Sequence, residues 1–202
     1  MAQVDAAFLR RWLGKVSEAV EREVGRLTEL DSVIGDADHG HNLRRGFAAV
    51  TAQLAQEPPA TPGGVLTLAG QTLISTVGGA SGPLYGTLLR RAGKALGETE
   101  TEVTAERLRD ALRTGVEAVG RLGRSRAGDK TMLDALLPAV AALPDYGAAA
   151  RAAREGAEAT VPLRARKGRA SYLGERSEGH QDPGAASAAL LFAALAEVAA
   201  GE

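Results

Sequence analysis

The chain contains no cysteine. That excludes a disulfide framework, a thiolate metal centre and a cysteine nucleophile. Aromatic residues make up only 3% of it, and pleated sheets select aromatic and β-branched side chains, so the deficit argues against a β architecture. Charge of either sign is not in excess: the formal net charge is −1, which gives no global attraction to nucleic acid or to an anionic membrane surface. Residues 1–11 are too polar for a secretory signal, and no apolar run is expected to reach a membrane-spanning length. The resulting expectation is a cytoplasmic protein with no nucleic-acid and no membrane partner. What the chain does have is alanine, leucine, glycine and arginine in plenty, with 45% hydrophobic and 24% charged residues over 202 positions. This mixture favours helices, and the length suits one domain over residues 1–202 with a sizeable core.

Apolar periodicity predicts about eight helices joined by short links, and no strand. The first spans residues 4–26, where Phe8, Trp12, Val16, Val20 and Val24 recur every fourth position. A second runs from His41 to Leu54 and is broken by Pro58, Pro59 and Pro62. A third covers residues 65–76, and a fourth begins near Pro83 and ends at Leu96. Thr104 is an N-cap with Arg107 rather than glutamate at N3, so the capping box of the fifth helix, which runs to Leu122, is incomplete. Further helices are expected over Thr131–Leu143, residues 146–160 and residues 185–199, the last so apolar that it belongs in the interior. Residues 162–184 have no period. A loop of that length inside an otherwise helical domain is often functional. The fold class is all-α.

The chemistry concentrates in one acidic stretch, Leu30 to Asn42, in which Asp31, Asp36 and Asp38 fall within eight residues. Like charges this close repel unless a cation sits among them, and hard divalent cations prefer carboxylate oxygens. In an extended loop Asp36 and Asp38 point to the same side, and a bend at Gly35 brings Asp31 to them. An EF-hand is excluded: position 12 is Asn42 counted from Asp31 and Phe47 counted from Asp36, and neither is the bidentate glutamate that loop needs. The plainer reading is a solvated acidic turn at a helix entry, favoured there by the helix dipole. His39 and Asn42 add hydrogen-bonding groups and weigh toward a magnesium-type site.

Three further stretches complete the inventory. Gly78-Gly79-Ala80-Ser81-Gly82 opens a helix with backbone N–H groups of the kind that cradle phosphate, although it lacks the lysine and preceding strand of a P-loop. Gly128-Asp129-Lys130-Thr131-Met132 precedes a helix. There Asp129 or Thr131 can serve as a simple cap, and Lys130 can reach an anion. Arg166 to Gly184 alternates basic residues with glycines. Its interspersed acids and single aromatic, Tyr172, argue against nucleic acid and fit a lid or nucleotide clamp, with Arg169 pairing phosphate and Asp182 holding ribose or base. His39, His41 and His180 make no zinc pattern, and no Ser-His-Asp set follows from the spacing. An acidic cluster, a glycine turn and a basic lid together point to a metal-bridged polyphosphate.

These motifs occur together in one family. Ile34-Gly-Asp-Ala-Asp-His-Gly40, Gly78-Gly-Ala-Ser-Gly-Pro-Leu84, Gly128-Asp-Lys-Thr-Met132, and Gly168 to Arg176 with Gly179 to Gly184 resemble the nucleotide-binding L subunit of dihydroxyacetone kinase, in the same order and over most of the chain. The resemblance implies a closed barrel of eight antiparallel helices with ADP or ATP at one end and two Mg2+ ions. It implies Asp31, Asp36 and Asp38 as metal ligands and, with Arg169, as the catalytic set. His39, Gly40, His41, Asn42, Ala80, Ser81, Gly123, Met132, Arg169, Asp182, Pro183 and Gly184 would contact the nucleotide. Ala37 stands where many relatives have glycine, and alanine is expected to be tolerated there only at negative φ.

The resemblance also implies partners. A K subunit holds dihydroxyacetone, and a phosphohistidine-carrying M subunit of the phosphotransferase system recharges tightly bound ADP, with phosphoenolpyruvate as ultimate donor. In the ATP-dependent version the nucleotide exchanges and the module is fused to a K module, for which a chain ending at Glu202 has no room. Two other classes stay open from the residues alone. One is a metal-dependent phosphohydrolase. The other is a nucleotide-sensing module with a regulator-binding role.

Overall fold

The apolar stripes and caps produce a ring of helices. The computed structural model describes residues 3–201. Among these, eight α-helices follow in order: α1 Ala6–Ile34, α2 His39–Gln56, α3 Pro62–Thr76, α4 Ser81–Leu96, α5 Ala105–Gly123, α6 Leu133–Ala142, α7 Tyr146–Glu158 and α8 Pro183–Ala200. Each packs on the next, and α8 packs back on α1, so the barrel closes. Short links make neighbours antiparallel. The C-terminus of α1 and the N-termini of α2, α4, α6 and α8 therefore share one end.

One buried apolar cluster drawn from all eight helices fills the interior. Trp12 of α1 is buried in it, and its indole Nε1–H donates to the carbonyl oxygen of Leu191 in α8 at 2.7 Å, stitching the first helix to the last. Helices α3 and α4 approach closely through glycine: a Cβ on Gly70 would lie 2.5 Å from the Arg90 nitrogen and 2.6 Å from the Gly86 carbonyl oxygen.

Several expectations are corrected. Helix α1 does not stop at residue 26 but runs to Ile34, because Leu27, Asp31 and Ile34 continue its buried face at helical spacing. Asp31 thus sits in a last helical turn, not in a loop. Two strands are present that no alternation announced: β1 Gln3–Asp5 pairs antiparallel with β2 Glu102–Thr104, Val4 opposite Val103. Each is three residues long, too short for a period to show. This ribbon lies at the start of α1, roughly 38 Å along the helix axis from Asp31 at 1.5 Å per residue. Pro62 does not break a helix but occupies the first turn of α3 behind the Thr61 cap. Finally, α8, at 18 residues, is long and apolar enough to cross a membrane. It is instead seated against α1, α6 and α7 with nine residues buried.

Residues 159–182 form the one long connection, between α7 and α8, and Arg169–Ser177 within it winds into 3-10 turns. We call residues 162–179 of it the strap. Gly168 at φ +68, Gly174 at +58 and Gly179 at +85 punctuate it, positions that residues with a Cβ adopt only at a cost.

Candidate nucleotide and metal site

Helix ends, glycine turn and strap converge on one cleft of about 440 Å³ at the barrel end described above. Its lining includes Asp31, Asp36, Asp38, His39, Gly78 to Ser81, Gly123, Met132, Arg169 and Asp182 to Gly184. Most of the residues singled out in the sequence are therefore neighbours in space. Gly40, His41 and Asn42 are not among the lining residues. Because α2 starts at His39, a rotation of about 100° per residue turns Gly40 and His41 away from the cleft, while Asn42 returns to the first face and lies behind Gly78 of the lining turn. Gly40 lets α2 meet α1, since a Cβ there would collide with the Val24 carbonyl oxygen and Thr28 Oγ1. His41 is exposed, and buried Asn42 accepts from Arg45 at 3.0 Å.

The three aspartates each place one carboxylate oxygen within 4.8 Å of the others. That convergence suits a hard divalent cation, which takes oxygen ligands from several carboxylates at once. Asp31 is buried, and its Oδ2 accepts from the backbone N–H groups of Asp38 at 2.9 Å and His39 at 3.1 Å. Its carboxylate thereby folds the turn that brings the other two aspartates back to it. The turn is not extended. Ala37 has φ +61, against the expectation that an alanine here requires negative φ. The clamp of Asp31 on the following two amides holds it in the left-handed region, at a strain of about 1–2 kcal/mol. Ala37→Gly is accordingly expected to leave stability unchanged or raise it by up to about 1 kcal/mol, relief of strain offsetting the added freedom of the unfolded chain. Urea unfolding of the two proteins checks this.

Facing these carboxylates are helix N-termini. No side chain caps α4, so its first-turn N–H groups, with the positive end of the helix dipole, are free to bind an anion, whereas at α2 the Asp31 carboxylate already takes the His39 N–H. Gly79, at φ +66, shapes the turn into α4. Ser81 is engaged: its Oγ lies 3.0 Å from His39 Nδ1, while His39 Nε2 meets Ser187 Oγ at 2.8 Å and Ser187 meets the Tyr85 hydroxyl at 2.6 Å. His39 thus ties α2, α4 and α8 together. Burial pushes its pKa below the ordinary histidine value, against the pull of nearby aspartates. Tyr85, buried throughout, is pushed upward by desolvation.

Asp182 caps α8, accepting from the Ala185 N–H at 2.7 Å. Burial pushes its carboxyl up to about 7, against the lowering effect of the Ala185 hydrogen bond. An ordinary aspartate titrates near about 4, so the folded chain binds more protons than the unfolded one across the interval between. Its contribution therefore falls as pH rises from about 4 to about 7 and is constant above. Asp182→Asn keeps a cap acceptor and removes the titration. Unfolding midpoints compared at pH 4 and pH 8 should show the variant gaining on the parent at the higher pH.

Two readings of the Gly128–Met132 stretch are corrected. Lys130 does not reach toward an anion: it is buried, and its Nζ donates to backbone carbonyls. Of the two cap candidates, Asp129 does not cap α6 but accepts from the Arg126 N–H at 3.0 Å, while Thr131 does, its Oγ1 accepting from the Leu133 N–H at 3.2 Å. The turn is closed by Asp134, whose two oxygens take the N–H groups of Gly128 at 2.6 Å and Thr131 at 2.8 Å. Sequence reading missed Asp134, although a carboxylate three residues after a threonine at a helix start is a recognisable capping signal. It also missed the apolar wall of the cleft, Leu84, Val119 and Leu122, which in sequence are ordinary helical apolar positions. Leu122 is half exposed. Arg169 stands at the mouth, its Nη1 paired with Asp36 Oδ2 at 2.8 Å.

Comparison with known proteins converges on one family. A model of the DAK2 domain matches residues 33–197. The chain is 44% identical over 191 residues to the "PEP-dependent dihydroxyacetone kinase 1, ADP-binding subunit DhaL" of Listeria innocua, covering 95% of this chain and 96% of that one. It is 42% identical over 196 residues to the "PEP-dependent dihydroxyacetone kinase, ADP-binding subunit DhaL" of Escherichia coli, covering 92% and 93%. Among solved structures, that of the dihydroxyacetone kinase from C. freundii in complex with AMP-PNP and Mg2+ superposes with a TM-score of 0.71 at 28% identity. The match covers 95% of this chain and 33% of that chain, so the protein spans about a third of the larger enzyme's length.

Proposed function

Since the chain belongs to the DAK2 domain family, we propose that it is the ADP-binding subunit of a phosphoenolpyruvate-dependent dihydroxyacetone kinase. One observation carries the reading: three convergent carboxylates and the uncapped N-terminus of α4 line the same cleft. Such a site suits a diphosphate with its cations, and near-full-length relatives are named for binding ADP. Asp31, Asp36 and Asp38 hold Mg2+, two ions in our proposal, which when bound neutralises the diphosphate charge. The N–H groups of the Gly79–Ser81 turn donate to phosphate oxygens. The wall of Leu84, Val119, Leu122 and Met132 takes the base, and Asp182, Pro183 and Gly184 close the far side.

Bound ADP serves as a carrier, its terminal phosphate oxygen accepting a phosphoryl group from a phosphohistidine nitrogen and passing it to a hydroxyl of dihydroxyacetone. A K subunit holds the acceptor and an M subunit supplies the phosphohistidine. The contribution of this chain is positional and electrostatic, as phosphoryl transfer requires. It holds the diphosphate rigid and supplies Arg169 to the charge that develops on the moving group.

The test is to purify the protein without added nucleotide and identify what stays bound. Near-stoichiometric ADP with Mg2+, charged only by a phosphohistidine protein and discharged only to a K partner with dihydroxyacetone, is the expected result. Turnover with freely exchanging ATP and a K partner alone would reassign the chain to the ATP-dependent class. Hydrolysis by the isolated chain, lost in Asp36→Asn, would make it a phosphohydrolase.

A further inference from the structure

Lys130 is 1% exposed, and among the described residues it pairs with no carboxylate. Its ammonium is enclosed instead by backbone carbonyl oxygens: Thr160 at 2.8 Å, Val161 at 3.4 Å, Leu163 at 2.9 Å, Ser177 at 2.8 Å, and His180. An ammonium has three N–H donors, fewer than the five oxygens around it. The group sits in a shell of carbonyl dipoles as a small cation would. Burying a charge is costly unless such partners are supplied, and the residue's own backbone is at φ +62, a further strain for a residue with a Cβ. Neither cost is incurred for packing alone.

The oxygens come from the turn after α7, both ends of the strap, and the link from the strap to α8. These are the stretches that lack helix or sheet to satisfy their carbonyls, and a buried carbonyl needs a partner. Around the same point the Asp182 N–H donates to Thr160 Oγ1 at 2.9 Å, the Ala165 N–H to Ser177 Oγ at 2.9 Å and the Arg166 N–H to the Asp129 carbonyl at 3.1 Å. Both ends of the strap are thereby fastened beside Lys130, with Arg169 carried between them and Asp182 just beyond. Two residues along from Lys130, Met132 lines the cleft.

We propose that Lys130 is a positioning residue: an internal cation that fastens both ends of the strap and so fixes Arg169 and Asp182 at the cleft. The consequence for transfer rests on the nucleotide reading of the cleft; the fastening itself does not.

The absence of cysteine makes the test clean. Lys130→Cys introduces the sole thiol, which is alkylated in denaturant and refolded. 2-Bromoethylamine restores an ammonium at lysine length, and 1-iodopropane gives the same length ending in a methyl group. Hydrogen exchange is then followed in residues 160–182 and in α1–α5, with ADP affinity measured in parallel. The aminoethyl form should regain the parent's protection throughout. In the propyl form, exchange in residues 160–182 should rise about tenfold or more while α1–α5 stay protected, and ADP affinity should fall about tenfold. Equal strap protection in the two forms overturns the proposal. So does uniform loss of protection or failure to refold in the propyl form, which would make the ammonium a global stabiliser, and so does an aminoethyl form that does not recover. If the parent itself binds no ADP, the nucleotide reading fails while the exchange contrast still decides the role of Lys130.

Discussion

Asp31→Asn should keep the fold and lose phosphoryl transfer, whereas Asp31→Ala should lose both the transfer and part of the fold. The side chain has two duties that the substitutions separate. Its Oδ2 takes the N–H groups of Asp38 and His39, and asparagine still offers a carbonyl oxygen to them. Alanine leaves the buried His39 N–H without a partner, at about 1–3 kcal/mol, strips the part-buried Asp38 N–H of its own, and releases Ala37 from the strained turn that aims Asp36 and Asp38. Relief of repulsion among three clustered carboxylates acts the other way in both variants. Stability of the asparagine form within about 1 kcal/mol of the parent is therefore expected. The carboxylate charge itself has no substitute in the amide, so transfer should fall by at least about 10²- to 10³-fold. Urea unfolding and single-turnover transfer from a charged donor measure the two effects. An asparagine variant that transfers within tenfold of the parent would remove Asp31 from the ligand set.

That double duty also shows where sequence stops being legible. The eight helices were readable because each buries one stripe at helical spacing, and the aspartate cluster was readable because like charges that close demand an explanation. The end of α1 was not. Glu29, Asp31 and Ser32 read as a polar loop, and only Leu27 and Ile34, buried against distant elements, carry the helix through them. Ala37 looked excluded from positive φ because its local cost was visible and the restraint on its neighbours, supplied from seven residues earlier, was not. Lys130 is the extreme case. A lysine in a glycine-flanked polar run reads as surface, and the five carbonyls that make its burial tolerable come from residues 30 to 50 positions away. Motif residues tell which atoms meet; the polar groups that hold them there are drawn from long range and leave no local pattern.

Arg169→Ala should lower transfer by about 10²- to 10³-fold while changing ADP affinity by less than about tenfold. Arg169 pairs with Asp36 at 2.8 Å, yet its side chain is 70% exposed and that of Asp36 is 33% exposed. An ion pair so open to water contributes little and exchanges partners readily. Both groups have better partners in the proposed complex: a metal ion for the carboxylate, a phosphate for the guanidinium. Arg169 begins the 3-10 turns directly after Gly168, so a small rotation of backbone that already has φ +68 moves it. Removing the guanidinium loses an attraction to the diphosphate but also frees Asp36 from a competitor, and the two offset in the binding of ADP. No such offset exists when charge builds on the phosphoryl group in flight, which Arg169 at the mouth is placed to meet. Arg169→Lys restores the charge without the planar fork and should recover part of the rate. Equal losses in rate and affinity would assign Arg169 to holding the nucleotide alone, and the pair with Asp36 would then be a latch on the empty cleft, not one half of an exchange.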